Sequence, residues 1–439
     1  MALFGTDGIR GRYGEFLTKN LAERVAHAAG QLIPAHSRII VGRDPRRSGS
    51  DLEAGIVSGF TKCGHDVVRI GVIPTPGLAY LTLEPGIALG VMITASHNPA
   101  SDNGIKIFGH DGMKISDADE QQIENWVNSE EVVSTSQIGK VFDDDQAVER
   151  YLRHLIDSTH ATFEGLKIVI DCANGAASFI APRILEELGA SVHVIGATPD
   201  GVNINAGVGS THLEVLQREV KKIGADIGIA HDGDADRTLM VDSQGRIIDG
   251  DAMLAALALS MSLNHELEKN TVVTTVMGNL GFHKKMAAAG IRVEVTSVGD
   301  RYVIERINEK KLSLGGEQSG HIIIRKLATT GDGILTALSI LSLIAKKEFA
   351  VDSLAEIFPK YPQVLVNIPV TDKALALTDT TVRSAISQAE QSLGENGRVL
   401  VRASGTEDLV RVMAEADSME RAQEVVESIT AVLKQRFGA

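Results

Sequence analysis

Residues 167–188 read Lys-Ile-Val-Ile-Asp-Cys-Ala-Asn-Gly-Ala-Ala-Ser-Phe-Ile-Ala-Pro-Arg-Ile-Leu-Glu-Glu-Leu. Lys167 to Asp171 is a short apolar run of the kind that forms a buried strand. Cys172 to Gly175 is a glycine-bearing loop, a helix is expected near 177–188, and residues 191–195 form a second apolar run. Strand, Gly loop, helix, strand is the order of a parallel sheet with crossover helices. The order recurs on both sides of this stretch. Upstream come strands at 39–42, 66–70 and 90–94, with a helix near 49–63. Downstream come strands at 225–230, 271–275 and 292–296, with helices near 280–289 and 300–309. The three restarts predict three α/β/α domains of one topological plan, with mixed, mostly parallel sheets. The last stretch differs: strands at 364–368, 399–402 and 409–413 with helices at 373–390 and 418–434 predict a small C-terminal α+β domain. The expected divisions are 1–150, 151–250, 251–362 and 363–439, with the linker at Tyr361-Pro362 and a cleft at the centre of the four.

Composition narrows the function. The 439 residues carry 43 Lys and Arg against 57 Asp and Glu, a formal net charge of −14. Such a chain is a poor holder of nucleic acid or anionic membrane by bulk charge, so an anionic ligand needs a local basic cluster. The two cysteines, Cys63 and Cys172, cannot build a disulfide framework and show no metal-type spacing, which suits a reducing cytoplasm. The N-terminal residues lack a basic start followed by an apolar run, and no apolar stretch approaches membrane-spanning length.

Four loops carry the candidate chemistry. Thr94-Ala95-Ser96-His97-Asn98-Pro99, followed by Asp102-Asn103-Gly104-Ile105-Lys106, sits directly after an apolar strand, where ligands of open α/β sheets collect. Ser96 is a nucleophile candidate there, and turns at Asn98-Pro99 and Asn103-Gly104 would return Lys106 towards it. A capped polar turn would read the same way. Asp232-Gly233-Asp234-Ala235-Asp236-Arg237 places three carboxylates where they can converge on one hard cation; unpaired, they repel. Oxygen-only ligands suit Mg²⁺, whereas a calcium EF-hand loop would need Gly and Glu where Arg237 and Ser243 stand. Gly315 to His321 offers Glu317, Ser319 and His321 between glycines, a hydrogen-bonding loop for a polyol or amine, or a plain turn. Arg402-Ala403-Ser404-Gly405-Thr406-Glu407, with Arg411, is a possible phosphate cradle, or a hairpin turn with surface arginines. Gly5 to Gly11 adds Arg10, in what could be a mobile terminus. A nucleophile, a cation site, a sugar-type loop and a phosphate cradle together point to phosphoryl transfer on a ligand held between domains.

The order of these four motifs resembles that of the α-D-phosphohexomutase superfamily, and the resemblance covers essentially the whole chain. Phe4 to Gly11, Asp171 to Ala176, Val298 to Val303 and Thr329 to Gly333 further resemble the bacterial branch acting on glucosamine phosphates. The resemblance implies an isomerase that interconverts glucosamine 6-phosphate and glucosamine 1-phosphate through a phosphoserine and a 1,6-bisphosphate. It implies that Ser96 carries the phosphoryl group and, with Asp232, Asp234 and Asp236, holds one Mg²⁺. Arg10, Lys106 and His321 fall around the reacting centre. Glu317 and Ser319 hold sugar hydroxyls, Arg237 assists substrate binding, and Arg402, Ser404, Gly405, Thr406 and Arg411 hold the phosphate that is not transferred. Glucosamine or glucose 1,6-bisphosphate is the implied activator. A priming kinase or autophosphorylation is the implied source of the first phosphate, and a monomer or homodimer the implied assembly. The product would feed amino-sugar nucleotide synthesis for peptidoglycan. A phosphomannomutase or phosphoglucomutase of the same superfamily, or a non-catalytic sugar-phosphate-binding protein, is the alternative.

Overall fold

Three sheets in the first 357 residues share one plan. In the first, Ile87–Ile93, Arg38–Arg43 and Asp66–Val72 are parallel neighbours in that order, and Asp102–Gly109 lies antiparallel beside Ile87–Ile93. In the second, Ile227–His231, Lys167–Asp171 and Ser191–Ile195 repeat the arrangement, with Thr238–Asp242 as the antiparallel strand. In the third, the set is Leu314–Gly316, Thr271–Thr275 and Arg292–Thr296, with Ile322–Ile324 antiparallel. Numbered within each unit, the spatial order of these strands is 4-3-1-2, with strand 4 reversed. A hairpin therefore joins strands 3 and 4 in every unit, and its loop stands at the carboxyl end of a parallel strand. The three loops are residues 94–101, 232–237 and 317–321, which carry the first three motifs.

The structure, a computed structural model, describes residues 3–5, 7–129, 137–404 and 408–438. It divides into two compact units, one of residues 1–275 and 291–357, the other of residues 276–290 and 358–439. In the first unit, the central strands Ile227–His231 and Thr271–Thr275 are buried along their whole length, and neither shows the alternation of a half-exposed strand. Helices Gly250–Leu263 and Gly333–Ala345 are apolar on almost every side and largely buried. Asp249 and Asp332 start them by accepting backbone N–H bonds from Ala252 and Leu335. In the second unit, Gln363–Pro369, Leu409–Ala416 and Gly397–Ala403 form an antiparallel sheet with Leu409–Ala416 in the middle. Residues from helices Thr380–Leu393 and Met419–Phe437 join that sheet in one apolar core.

Four local expectations change. Asn103 and Gly104 do not form a turn; they lie in the strand Asp102–Gly109, paired with Ile9–Arg12 on its outer side. The chain reverses earlier, with Asn98 and Asp102 N–H bonded to the carbonyls of Ala95 and Pro99. Ile9–Arg12 is accordingly an edge strand and not a mobile terminus. The helix expected near 177–188 begins as a 3₁₀ turn at Ala176–Phe179 and becomes α-helical only at Ala181, with Pro182 in its first turn. The helix expected at 373–390 is two helices, Lys373–Thr378 and Thr380–Leu393, because Asp379 stops the first and caps the second.

Helices Lys19–Gly30 and Gly49–Lys62 cross where Gly59 has no side chain; a Cβ there would lie 2.3 Å from the Glu23 carbonyl oxygen. Helix propensity alone would favour Ala by roughly 0.5–1 kcal/mol. The close approach reverses the sign: Gly59→Ala should cost about 1–3 kcal/mol, read as a lower urea midpoint at unchanged m-value. An unchanged or higher midpoint would contradict the packing.

Candidate active site

Ser96 is fully buried, in the left-handed region at φ 51°. Such a conformation in a non-glycine residue is strained and must be held from outside. Arg46, itself buried, does the holding. Its guanidinium donates to the carbonyls of Ser96 (2.9 Å), Asn98 (2.8 Å) and Asp102 (3.0 Å), and to that of Pro99. Asp44 pairs with Arg46 Nε at 2.9 Å and accepts from the Thr94 hydroxyl at 2.7 Å, and Thr94 in turn accepts the Ser96 N–H. Asn205, from the second α/β domain, adds bonds to the carbonyls of Ser96 and Asn98. The Ser96 hydroxyl points away from this scaffold and donates to Asp232 Oδ2 at 2.5 Å.

The metal-type loop meets Ser96 directly. A Cβ on Gly233 would lie 2.6 Å from the Ser96 carbonyl oxygen, so only glycine fits there. Asp232, Asp234 and Asp236 are all buried, and each offers a carboxylate oxygen within 4.8 Å of the others'. Burial and the charges of Asp236 and Asp234 push Asp232 well above the usual carboxylate range. Burial works the same way on Asp236, but Lys106, His321 and Arg237 outweigh it and hold that group well below. The remaining oxygens of Asp234 and Asp236 have no hydrogen-bond partner although buried. Orphaned carboxylate oxygens converging beside a serine hydroxyl fit a hard divalent cation, and no other group of three or more His, Cys, Asp or Glu among the described residues has metal-site geometry. The burial excludes a solvated acidic turn.

The cationic candidates surround this cluster. Lys106 is almost fully buried, with Nζ 3.1 Å from Asp234 Oδ2, 3.3 Å from Asp236 Oδ2 and 3.1 Å from Asp7 Oδ2. Burial opposes its charge, and the three carboxylates outweigh burial, so the ammonium persists above its ordinary range. Arg10 pairs with Asp7. Arg237 Nε lies 3.8 Å from Asp236 Oδ1, and the Asp236, Asp232 and Glu317 charges sustain the guanidinium against burial. His321 accepts the Gly331 N–H on Nε2 at 3.0 Å, which leaves its proton on Nδ1, 3.7 Å from Asp236 Oδ2. His97 Nδ1 is 3.4 Å from Ser96 Oγ. Burial and the Arg237 and Arg10 charges push it down to about 4, so it is neutral at pH 7. With the hydroxyl directed to Asp232, His97 is not placed as a serine-protease type base.

Glu317 is nearly buried; Oε1 accepts the Gly299 N–H at 3.1 Å and Oε2 faces the Ser319 hydroxyl at 3.5 Å. In the C-terminal unit, Arg402 and Arg411 stand directly opposite each other on paired strands. Burial and the Arg411 charge both lower Arg402; like charges across a strand pair are stabilised by an anion between them. Ser404 is buried at the base of the same hairpin, its N–H bonded to the Leu409 carbonyl and its carbonyl accepting from Lys373 Nζ. Gly405 and Thr406 lie outside the described residues.

The structure thus gathers Ser96, Lys106, Arg10, Asp232, Asp234, Asp236, Arg237, Glu317, Ser319 and His321 within the first unit, and Arg402, Ser404 and Arg411 on one hairpin of the second. Asp44, Arg46 and Asn205 were missed from sequence, as was the role of Asp7. The only local signal was the Arg43-Asp44-Pro45-Arg46 run at the end of a strand. Replacing Arg46 leaves Asp44 buried without its cationic partner and removes four bonds to carbonyls, of which those of Ser96 and Asn98 keep only Asn205. Arg46→Met should cost about 3–5 kcal/mol in chemical unfolding. Arg46→Lys should recover little of it, since one ammonium cannot serve the same fork of acceptors. A variant as stable as wild type would show that the loop is held by something else.

Models of the phosphoglucomutase/phosphomannomutase family match in four consecutive parts: α/β/α domain I over residues 1–133, domain II over 149–245, domain III over 249–361 and the C-terminal domain over 365–432. The chain is 48% identical to the phosphoglucosamine mutase of Thermobifida fusca over 98% of each protein. A solved phosphoglucomutase/phosphomannomutase family protein from Burkholderia thailandensis shares the fold at a TM-score of 0.83 and 23% identity, covering 99% of this chain and 97% of that one. The N-acetylphosphoglucosamine mutase of Aspergillus fumigatus, solved with GlcNAc-6P and magnesium, shares it at 0.66 and 18% identity, covering 98% and 95%. The four matched domains and the near full-length identity place the chain in the phosphoglucomutase/phosphomannomutase family, among its phosphoglucosamine mutases.

Proposed function

We propose that this chain interconverts glucosamine 6-phosphate and glucosamine 1-phosphate by passing a phosphoryl group through Ser96. The observation that carries the residue assignment is the Ser96 hydroxyl held at 2.5 Å from Asp232, against three buried carboxylates and beside Lys106. Asp232, Asp234, Asp236 and an oxygen on Ser96 would hold Mg²⁺, which when bound supplies charge neutralisation for the transferring phosphoryl group.

In the first half-reaction the 1-hydroxyl of the sugar attacks the phosphorus of phospho-Ser96. The bond from phosphorus to Ser96 Oγ breaks as the new ester bond forms, and the hydroxyl proton passes to the departing Ser96 Oγ by way of His321, the member of the Arg10, Lys106 and His321 group that is not a permanent cation. The 1,6-bisphosphate then reorients, and its 6-phosphoryl returns to Ser96 Oγ as the bond from phosphorus to O6 breaks and the serine proton passes to O6, leaving the 1-phosphate. Lys106 stabilises charge on the group in flight, and the burial of Ser96 keeps water from the phosphoserine. Glu317 and Ser319 hold sugar hydroxyls, Arg237 helps to hold the substrate, and Arg402, Ser404, Gly405, Thr406 and Arg411 hold the phosphate that stays. The four-domain division near residues 150, 250 and 362, a sugar bisphosphate as activator, and a cytoplasmic setting for the two free thiols complete the reading.

The test is ³¹P NMR of glucosamine 6-phosphate with the protein, Mg²⁺ and a trace of sugar bisphosphate, beside glucose 6-phosphate and mannose 6-phosphate. A 1-phosphate signal should appear fastest from the amino sugar and be absent with Ser96→Ala. Lys106→Met should lower kcat about 10²–10³-fold. Faster turnover of glucose or mannose phosphate would move the substrate within the family. Release of free phosphate alone would contradict the mutase chemistry.

A further inference from the structure

Six side chains form a closed circuit beside the Asp232–Asp236 loop, with Lys106, Lys114 and His321 alternating with three carboxylates. Lys106 Nζ lies 3.1 Å from Asp7 Oδ2 and 3.3 Å from Asp236 Oδ2. The other Asp7 oxygen accepts from Lys114 Nζ, which also pairs with Asp300 Oδ2. Asp300 Oδ2 lies 3.9 Å from His321 Nε2, and His321 Nδ1 lies 3.7 Å from Asp236 Oδ2, which closes the circuit. Lys106, His321 and Asp236 belong to the reaction centre proposed above. Asp7, Lys114 and Asp300 have no part in that chemistry.

The members come from distant parts of the chain. Asp7 precedes the first strand, Lys114 follows the strand Asp102–Gly109, and Asp300 opens the helix Asp300–Lys310 of the third α/β domain. Lys114 is 12% exposed, so its charge is largely taken out of water. Burial works against that charge, and Asp300 and Asp7 outweigh it. A lysine sunk between two carboxylates of different domains is no easy source of stability, since desolvation offsets most of the attraction. Its position relative to Lys106 and His321 is the more specific feature. Lys106 carries a point charge on a flexible stem, and its place depends on how its carboxylates share it. Without Lys114, Asp7 would draw Lys106 away from Asp234 and Asp236, and Asp300 would face His321 with no lysine opposite.

We propose that Lys114, together with Asp7 and Asp300, is a positioning group that fixes Lys106 and His321 at the reacting centre and makes their geometry depend on the pairing of the first and third α/β domains. The inference rests on the mutase reading above. It places the effect on the transition state and not on sugar binding, because none of the three is among the residues assigned to the sugar or its phosphates.

The experiment measures kcat and KM for glucosamine 6-phosphate with the full chain, Mg²⁺ and sugar bisphosphate, after circular dichroism confirms folding. Lys114→Met should lower kcat about 10–100-fold with KM changed by less than about threefold, and Lys114→Arg should recover most of the loss. Asp300→Asn, which hardly changes volume, should give the same split and covers the case of a Lys114→Met chain that fails to fold. The double variant should be no slower than the slower single one, as expected of one coupled unit. A kcat within about twofold of wild type for both single variants, a rise in KM alone, a Lys114→Arg variant as slow as Lys114→Met, or additive losses would each overturn the proposal. A wild-type chain that turns over no sugar phosphate sinks the mutase reading and this inference with it; an active wild type with unaffected variants sinks the inference alone.

Discussion

Three carboxylates and a serine hydroxyl are buried within reach of one another, and the first unit is organised around that repulsion. Asp232, Asp234 and Asp236 cannot all be ionised in such a site without positive charge close by. Lys106, beside Asp234 and Asp236, and Arg237, beside Asp236, supply part of it. The buried oxygens of Asp234 and Asp236 that accept no hydrogen bond mark what a divalent cation would supply. The loop, strained at Ala235 in the left-handed region, is kept in place by Thr75, bonded to Asp234 through both its hydroxyl and its N–H, and by Gly233 pressed on the Ser96 carbonyl.

One topological device presents the serine, the carboxylates and the sugar-type loop of this unit; Arg10 and Lys106 come from strands. The hairpin between the third and fourth strands occurs in each of the three α/β units and turns at the carboxyl end of a parallel strand, where open sheets place ligands. The first copy carries the serine, the second the carboxylates, and the third Glu317, Ser319 and His321. The three copies are alike in backbone plan and different in side chains, so one fold delivers a nucleophile, a cation site and a hydrogen-bonding loop. The C-terminal unit uses a different hairpin, between antiparallel strands, to place Arg402 opposite Arg411.

Much of this was legible in the sequence because it is local. Each motif is a run of six or seven residues whose types limit its chemistry, and each follows an apolar run that marks its strand. What the sequence concealed is long-range. Arg46 lies 50 residues from Ser96, and Lys114 lies 186 from Asp300; an isolated Arg or Lys carries no sign of what it will touch. Asn103-Gly104 has the composition of a turn, but pairing with Ile9–Arg12 on one side and the Thr94 N–H bonded to the Gly104 carbonyl on the other hold it extended. The break at Asp379 was hidden because an Asp within a helical pattern is equally an exposed side chain or a cap.

The most direct test of the central claim is calorimetric titration of Mg²⁺ into the wild-type chain and into Asp234→Asn. The account predicts one divalent cation per wild-type chain and at least about a tenfold weaker site in the variant, which keeps the volume of the side chain and removes its charge. Equal affinity in the two chains, or no binding to the wild type, would contradict it.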